Sequence, residues 1–116
     1  MDSLEIDLEE ALRRDDLVWI DVRSPGEFNE ASLPGAVNVP LLDDQERHEI
    51  GLLHRHSGEK AARLAALDLV APKLPRLVAR VAAAAGDKKP LLFCWRGGLR
   101  SLCLFQAMQL AGIPAL

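Results

Sequence analysis

Cys94 begins the part of the sequence that is best equipped for chemistry. An apolar run precedes it, glycines follow it, and a helical pattern comes next. Such a strand–loop–helix unit binds anions, because glycines let successive N–H groups turn inward and the helix presents its positive end. We therefore predict that Cys94 is the catalytic nucleophile. Its anion- and substrate-binding loop is predicted to consist of Trp95, Arg96, Gly97, Gly98, Leu99, Arg100 and Ser101.

Two arginines in this loop favour an ionised cysteine. Cations and helix N-termini lower the pKa of cysteine thiols from about 8.5 to roughly 3.5–7.5, and Arg96 and Arg100 supply positive charge. Arg100 could also bind an oxyanion through two N–H groups. The alternative for a free cysteine is a buried apolar role. We predict that role for Cys103, because it lies in an apolar helical stretch.

Three charged residues are predicted to support the loop. Asp21 and Arg23 follow a buried apolar run, and Glu27 lies at the start of the next helix. Because functional sites gather at the carboxyl ends of parallel strands, these residues could pair with Arg96 or Arg100 and hold the loop. The alternative is a local surface ion pair, which is worth under about 1 kcal/mol.

Strands and helices alternate along the chain, which predicts one α/β domain over residues 1–116 with a parallel sheet. Ser24, Pro25 and Glu27 have the types and spacing of a capping box with proline at the first helical position. Strands are predicted at 17–20, 36–39 and 91–93, and helices at 7–13, from Ser24, and at 43–56, 59–70, 74–85 and 100–110.

Composition and charge are those of an ordinary globular domain. The 116 residues are 49% hydrophobic and 27% charged, with a formal net charge of −3, which argues against nucleic-acid binding by the whole surface. Basic residues do gather between positions 47 and 63, as a local patch or as a solvated helix face. Two cysteines are too few for a disulfide framework, and no apolar stretch approaches the roughly 18 residues of a membrane span. We expect a cytoplasmic protein without membrane contact and without a metal site at His48, His54 or His56; its oligomeric state is not predicted.

Two motifs resemble a known family. Residues 21–28 (DVRSPGEF) and 33–40 (LPGAVNVP) resemble the opening of rhodanese-like domains, and Cys94 falls where their catalytic cysteine belongs. The segment 41–51, the later Gly58 and Ala61, and the length of the cysteine loop are more specific. They are similar to the N-terminal rhodanese domain of bacterial tRNA 2-selenouridine synthases.

The resemblance implies a fold and an activity. It implies a parallel sheet of about five strands with helices on both faces, and a transferase that replaces sulfur by selenium in the wobble 2-thiouridine of tRNA. Selenophosphate would be the small anionic donor, no cofactor would be bound, and Cys94 would carry the transferred atom as a persulfide-like or selenenylsulfide species. A second domain with a P-loop, which would use geranyl diphosphate and bind much of the tRNA, has no counterpart in the sequence. We expect a domain cut from a longer chain, which could be a carrier that is inactive alone.

Three other functions are open. A stand-alone thiosulfate sulfurtransferase would use the same cysteine. A cysteine-dependent phosphatase or arsenate reductase would share the five-residue spacing from Cys94 to Arg100, although no acidic residue lies inside the loop to act as general acid. A non-catalytic rhodanese-like binding module would not need the cysteine.

Overall fold

A parallel sheet forms the centre of the computed structural model, which describes residues 7–94 and 99–116. Among these residues, the strands are β1 (Leu17–Asp21), β2 (Val37–Asn38) and β3 (Lys89–Phe93). Their order is β2-β1-β3, with both pairings parallel. The carboxyl ends of β1 and β3 therefore lie side by side, where Asp21 pairs in register with Phe93.

This sheet has fewer strands than the resemblance implies, three in the described residues instead of about five. Beyond β3 the chain end extends it. The backbone N–H of Leu116 donates to the carbonyl of Pro90, and the Leu116 carbonyl accepts from the N–H of Leu92, both at 2.9 Å. Leu116 thus pairs with β3 at the edge of the sheet. The predicted α/β class with a parallel sheet is confirmed.

Helices connect the strands where the sequence predicts them. Gly58 separates two of them: it adopts φ +90°, a conformation that residues with a side chain rarely take. The predicted strand at 91–93 begins two residues earlier, because the N–H of Lys89 donates to the carbonyl of Asp16 at 2.9 Å. The helices are α1 (Leu8–Arg13), α2 (Pro25–Glu30), α3 (Asp44–Ser57), α4 (Glu59–Val70), α5 (Leu74–Ala85) and α6 (Leu99–Leu110), with a 3₁₀ turn at Ala71–Lys73.

Apolar side chains cover both faces of the sheet, because successive residues of a strand point to opposite faces. Leu17 and Leu91 form a small cluster with Ala11 of α1. Ile20 and Leu92 belong to the larger cluster on the other face. That cluster is completed by Val22, Val39, Leu41, Leu42, Val70, Leu77, Val81, Leu104, Phe105 and Met108.

Candidate functional site

Cys94 lies directly after β3, at the carboxyl edge of the sheet, and packs partly buried against the larger apolar cluster. Its thiol donates to the hydroxyl of Ser101 in the first turn of α6, with Sγ and Oγ 3.4 Å apart. Once the thiol is deprotonated, the hydroxyl becomes the donor and the sulfur the acceptor. Ser101 is therefore placed to stabilise a thiolate. The predicted loop residues Trp95, Arg96, Gly97 and Gly98 lie outside the described residues.

Arg100 faces a carboxylate of α2. One terminal nitrogen of its guanidinium lies 2.7 Å from Oε1 of Glu27 and the other 3.4 Å from Oε2. This two-point contact joins the first turn of α2 to the start of α6, 73 positions later in the chain. The sequence predicts Arg96 or Arg100 as a partner of Glu27. Arg100, which the structure describes, contacts Glu27.

Glu27 is also the third residue of α2 and closes its capping box. Its Oε1 accepts from the Ser24 N–H at 3.0 Å and from the Ser24 hydroxyl at 3.1 Å. Arg47 of α3 approaches the same oxygen at 3.7 Å. Burial alone would raise the pKa of the Glu27 carboxyl, but the hydrogen bonds from Arg100 and Ser24 lower it to about 2. Glu27 is thus ionised at any physiological pH.

Asp21 and Arg23 form a buried ion pair below Glu27's helix. Asp21 is 0% and Arg23 4% exposed, and their side chains meet at 2.8 Å. The Ser32 hydroxyl donates to Asp21 at 2.7 Å, and Arg23 also donates to the carbonyl of Ala31. Burial works against the ionised Asp21, yet the hydrogen bonds from Arg23 and Ser32 keep the pKa of its carboxyl below the usual value. The hydrogen bonds to Asp21 in turn raise the pKa of the Arg23 guanidinium above its usual value.

A groove of about 1040 Å³ opens beside Arg100, bounded by α2, the α3–α4 hairpin and the start of α6. Cys103 lines it and also packs against the core, and burial raises the pKa of its thiol. The groove has an apolar floor and a charged rim. The floor includes Leu41, Leu42, Ile50, Ala62, Ala66, Leu67, Val70 and Leu99, and the rim includes Glu27, Glu30, Arg47, His54, Glu59, Arg63 and Arg100. The buried Arg23 also lines the groove.

The structure thus brings Cys94, Ser101, Arg100 and Glu27 to one edge of the sheet, with Asp21 and Arg23 beneath. Sequence reasoning missed Ser32 and Asn38, which come from the segment after α2. Asn38 donates to the carbonyls of Asp21 at 3.0 Å and of Arg23 at 2.9 Å. Neither residue carries a sequence signal of this role, because both contacts form across a loop.

A cysteine directly after a strand of a parallel sheet, with a helix starting a few residues later, is the arrangement of the rhodanese-like domains, and the chain belongs to that family. The sequence model of the rhodanese-like domain matches residues 6–115. The predicted resemblance is therefore confirmed.

Two curated relatives are similar to this chain over most of its length. The chain is 43% identical over 99 residues to the tRNA 2-selenouridine synthase of Cupriavidus necator, covering 84% of this chain and 27% of that protein. It is 46% identical over 99 residues to the tRNA 2-selenouridine synthase of Chromohalobacter salexigens, covering 81% and 27%. The matched region is the N-terminal part of these proteins, so the chain spans about a quarter of their length.

A solved structure agrees with the fold. The crystal structure of the N-terminal domain of a Clostridium difficile 630 protein, described as ATP/GTP binding, superimposes with a TM-score of 0.87 at 30% identity, covering 95% of this chain and 86% of that one. In the part of the chain that the structure describes, no helix is both long and apolar enough to span a membrane.

Proposed function

We propose that Cys94 accepts a sulfur or selenium atom from a small anionic donor and passes it on, as the rhodanese part of an enzyme of the tRNA 2-selenouridine synthase type. The observation that carries this proposal is the position of Cys94, which follows the sheet edge with the Ser101 hydroxyl at 3.4 Å. The relatives that share this domain are named tRNA 2-selenouridine synthases, which favours chalcogen transfer over the other functions of such a cysteine.

The sulfur step can be written with thiosulfate. The Cys94 thiolate attacks the outer sulfur, a bond between the two sulfurs forms, and the sulfur–sulfur bond of thiosulfate breaks with its electron pair on sulfite. The product is a persulfide on Cys94. A nucleophilic acceptor then takes the outer sulfur and leaves the thiolate. Ser101 supports the charge on sulfur before the attack, because a hydroxyl donor stabilises an anion.

The acceptor that we propose is tRNA, and we place its reacting nucleotide in the groove. The apolar floor suits the face of a base, and arginines at the rim suit the neighbouring phosphates. Arg47 is half exposed, and its contact with Glu27 is long at 3.7 Å. Arg63 of α4 also lines the groove and is paired with Glu59. Neither arginine is held in a buried ion pair, so both can turn to a phosphate.

Mass spectrometry after incubation with thiosulfate, or with its selenium analogue selenosulfate, from which sulfite also leaves, tests the donor step. We expect one added sulfur or selenium atom on the peptide that contains Cys94, and none in Cys94→Ser. Cys103→Ser is the matched control and should load like the wild type. Loading of Cys103, or no loading with either donor, would contradict the proposed role of Cys94.

The acceptor step is tested by binding of a labelled anticodon stem-loop containing 2-thiouridine. Charge reversal at both rim positions, Arg47→Glu with Arg63→Glu, should weaken binding at least about tenfold. Each lost arginine–phosphate contact also lowers the number of counterions that binding releases from the RNA. Arg76→Glu with Arg80→Glu on α5 changes the charge equally but does not alter the groove lining. Equal losses in both double variants would move the RNA site away from the groove.

A further inference from the structure

We propose that the outer end of the α3–α4 hairpin is a second RNA-binding surface, which contacts phosphates of the tRNA next to the nucleotide in the groove. We call it the hairpin surface, and its residues are Arg55, Lys60, Arg63, Leu64 and Leu67. The inference rests on the proposed function for the identity of its partner. It goes beyond that function because it assigns RNA contacts to Arg55 and Lys60, which do not line the groove.

The hairpin surface is basic in a chain that is acidic overall. Residues 54–63, which span the end of α3 and the start of α4, contain Arg55, Lys60 and Arg63. Their only acidic residue is Glu59, whereas the whole chain carries a formal net charge of −3. The summed charge of the chain therefore repels a polyanion, and this end of the hairpin attracts it.

These cations are available to a ligand. Arg55 and Lys60 are exposed, and in the part of the chain that the structure describes no carboxylate pairs with either. The Nε of Arg55 donates to the backbone carbonyl of Gly51 at 3.5 Å. Arg63 pairs with Glu59, but the two side chains are 58% and 61% exposed, and an exposed pair is worth under about 1 kcal/mol. Phosphates can therefore bind all three cations without breaking a buried interaction.

Exposed leucines lie beside the cations. Leu64 is 56% and Leu67 53% exposed, and both line a hollow of about 330 Å³ together with Glu59, Lys60 and Arg63. A patch of exposed apolar side chains next to cations is typical of an interaction surface, whereas a solvated helix face carries polar residues at such positions. Riboses and bases offer apolar surface between phosphates, so a nucleic-acid strand matches both parts of the hollow.

The hairpin surface is continuous with the groove. The groove and the hollow share Glu59, Arg63 and Leu67 in their linings, so the two depressions meet along α4. Lys60 precedes Arg63 by about one helical turn, and Arg55 lies in the last turn of α3. A strand that leaves the groove past Arg63 therefore meets further cations. This continuity favours a polynucleotide over a small anion, which would occupy a single position.

Two double variants test this inference. Arg55→Gln with Lys60→Gln, the hairpin variant, removes two positive charges from the hairpin surface and leaves the groove lining unchanged. Arg76→Gln with Arg80→Gln, the α5 variant, is the matched control, because these arginines are also exposed cations of a helix. Glutamine has a helix propensity close to those of arginine and lysine, so both variants should keep the wild-type circular dichroism spectrum.

The measurement is the affinity of the 116-residue chain for the labelled 2-thiouridine stem-loop at several potassium chloride concentrations. In the hairpin variant we expect the affinity at low salt to fall at least about tenfold. The slope of log affinity against log salt should become shallower by about 1.4–1.8, since each lost phosphate contact removes roughly 0.7–0.9 from it. A stem-loop with uridine in place of 2-thiouridine should show the same changes, because phosphate contacts do not read the base. The α5 variant should alter neither quantity.

Unchanged affinity and slope in the hairpin variant would overturn the inference. Equal losses in the α5 variant, or no binding of the stem-loop by the wild type, would also overturn it. Loading of Cys94 from thiosulfate is measured in the same proteins and should be equal in all of them. A failure of loading in the wild type would instead remove the proposed function of Cys94, whereas a loss of affinity confined to the hairpin variant would leave the RNA surface standing. The two failures are therefore distinguishable.

Discussion

The first turns of α2 and α3 are built alike but serve different parts of the molecule. Each begins with a capping box, which we call the α2 box and the α3 box. The side chain of the capping residue, Ser24 or Asp43, accepts from the backbone N–H of the glutamate three positions later, and the side chain of that glutamate accepts from the backbone N–H of the capping residue. Each glutamate also receives a distant cation. Glu27 accepts from Arg100 in the first turn of α6, whereas Glu46 accepts from Lys73 in the 3₁₀ turn before α5.

The difference lies in what the distant cation is attached to. Lys73 also donates to the carbonyl of Leu41 at 3.1 Å, so the α3 box ties the chain before α3 to the 3₁₀ turn. The α2 box ties the helix to Arg100, one residue from Ser101 and its contact with Cys94. The same capping motif thus connects structural elements at α3, whereas at α2 it is part of the candidate site.

The largest effect is expected when the buried ion pair between Asp21 and Arg23, which lies beneath the α2 box, is broken. Arg23→Met leaves the carboxylate of Asp21 buried without its cation, which should lower the free energy of unfolding by about 3–5 kcal/mol. Urea unfolding followed by tryptophan fluorescence measures this. Arg14→Met removes an exposed pair with Asp16 and should change stability little. If the free energy of unfolding fell only slightly in Arg23→Met, the α2 box would not depend on the buried ion pair.

The next largest effect is expected from acid, which protonates Glu27. Because the folded pKa of Glu27 is depressed to about 2, its contribution is complete above its unfolded pKa and is lost as the pH falls from about 4.3 towards 2. With solvent screening of a partly exposed pair, the loss is about 1–2 kcal/mol. Unfolding free energies of wild type and Glu27→Gln, measured against pH, should converge in this window. A constant difference down to pH 2 would contradict the ionised pair.

Removing each cap should cost similar stability but different chemistry. Ser24→Ala and Asp43→Ala should each lower the free energy of unfolding by about 1 kcal/mol. Only Ser24→Ala should shift the pH profile of Cys94 alkylation, because it loosens Glu27 and with it Arg100 and Ser101. If Asp43→Ala shifts the profile as much, the two boxes are not functionally distinct.

The smallest effect concerns the direct link between the boxes. The N–H of Gly26 in α2 donates to Oδ1 of Asp44 at 2.8 Å. Asp44→Ala should cost roughly 0.5–1 kcal/mol, the value of one exposed hydrogen bond, whereas Asp44→Asn keeps an acceptor and should cost less. Thermal unfolding of both variants checks this. Equal losses would indicate that the charge of Asp44 matters rather than the bond to Gly26.

The sequence by itself determined the local structure. Ser24, Pro25 and Glu27 predict the start of α2 because a capping box involves residues only three apart, and Gly58 predicts the break after α3 because glycine alone takes its backbone angle easily. The apolar runs that end at Asp21 and Cys94 likewise predict two strand ends at one sheet edge. The family is also visible in the motifs at 21–28 and 33–40, which the match over residues 6–115 confirms.

Only the tertiary structure decided which charges meet. The sequence left Glu27 with two arginine partners in the loop or, as the alternative, a local surface ion pair, and it contained no sign that Ser32 and Asn38 contact Asp21. These contacts span from 11 to 73 positions, and a pairing at that separation depends on the path of the chain between its ends. The backbone pairing of Leu116 with β3 is another such case, since Leu116 reaches Pro90 only after α6 has turned the chain back. Local rules operate over one helical turn, whereas the site is assembled from residues that only the fold brings together.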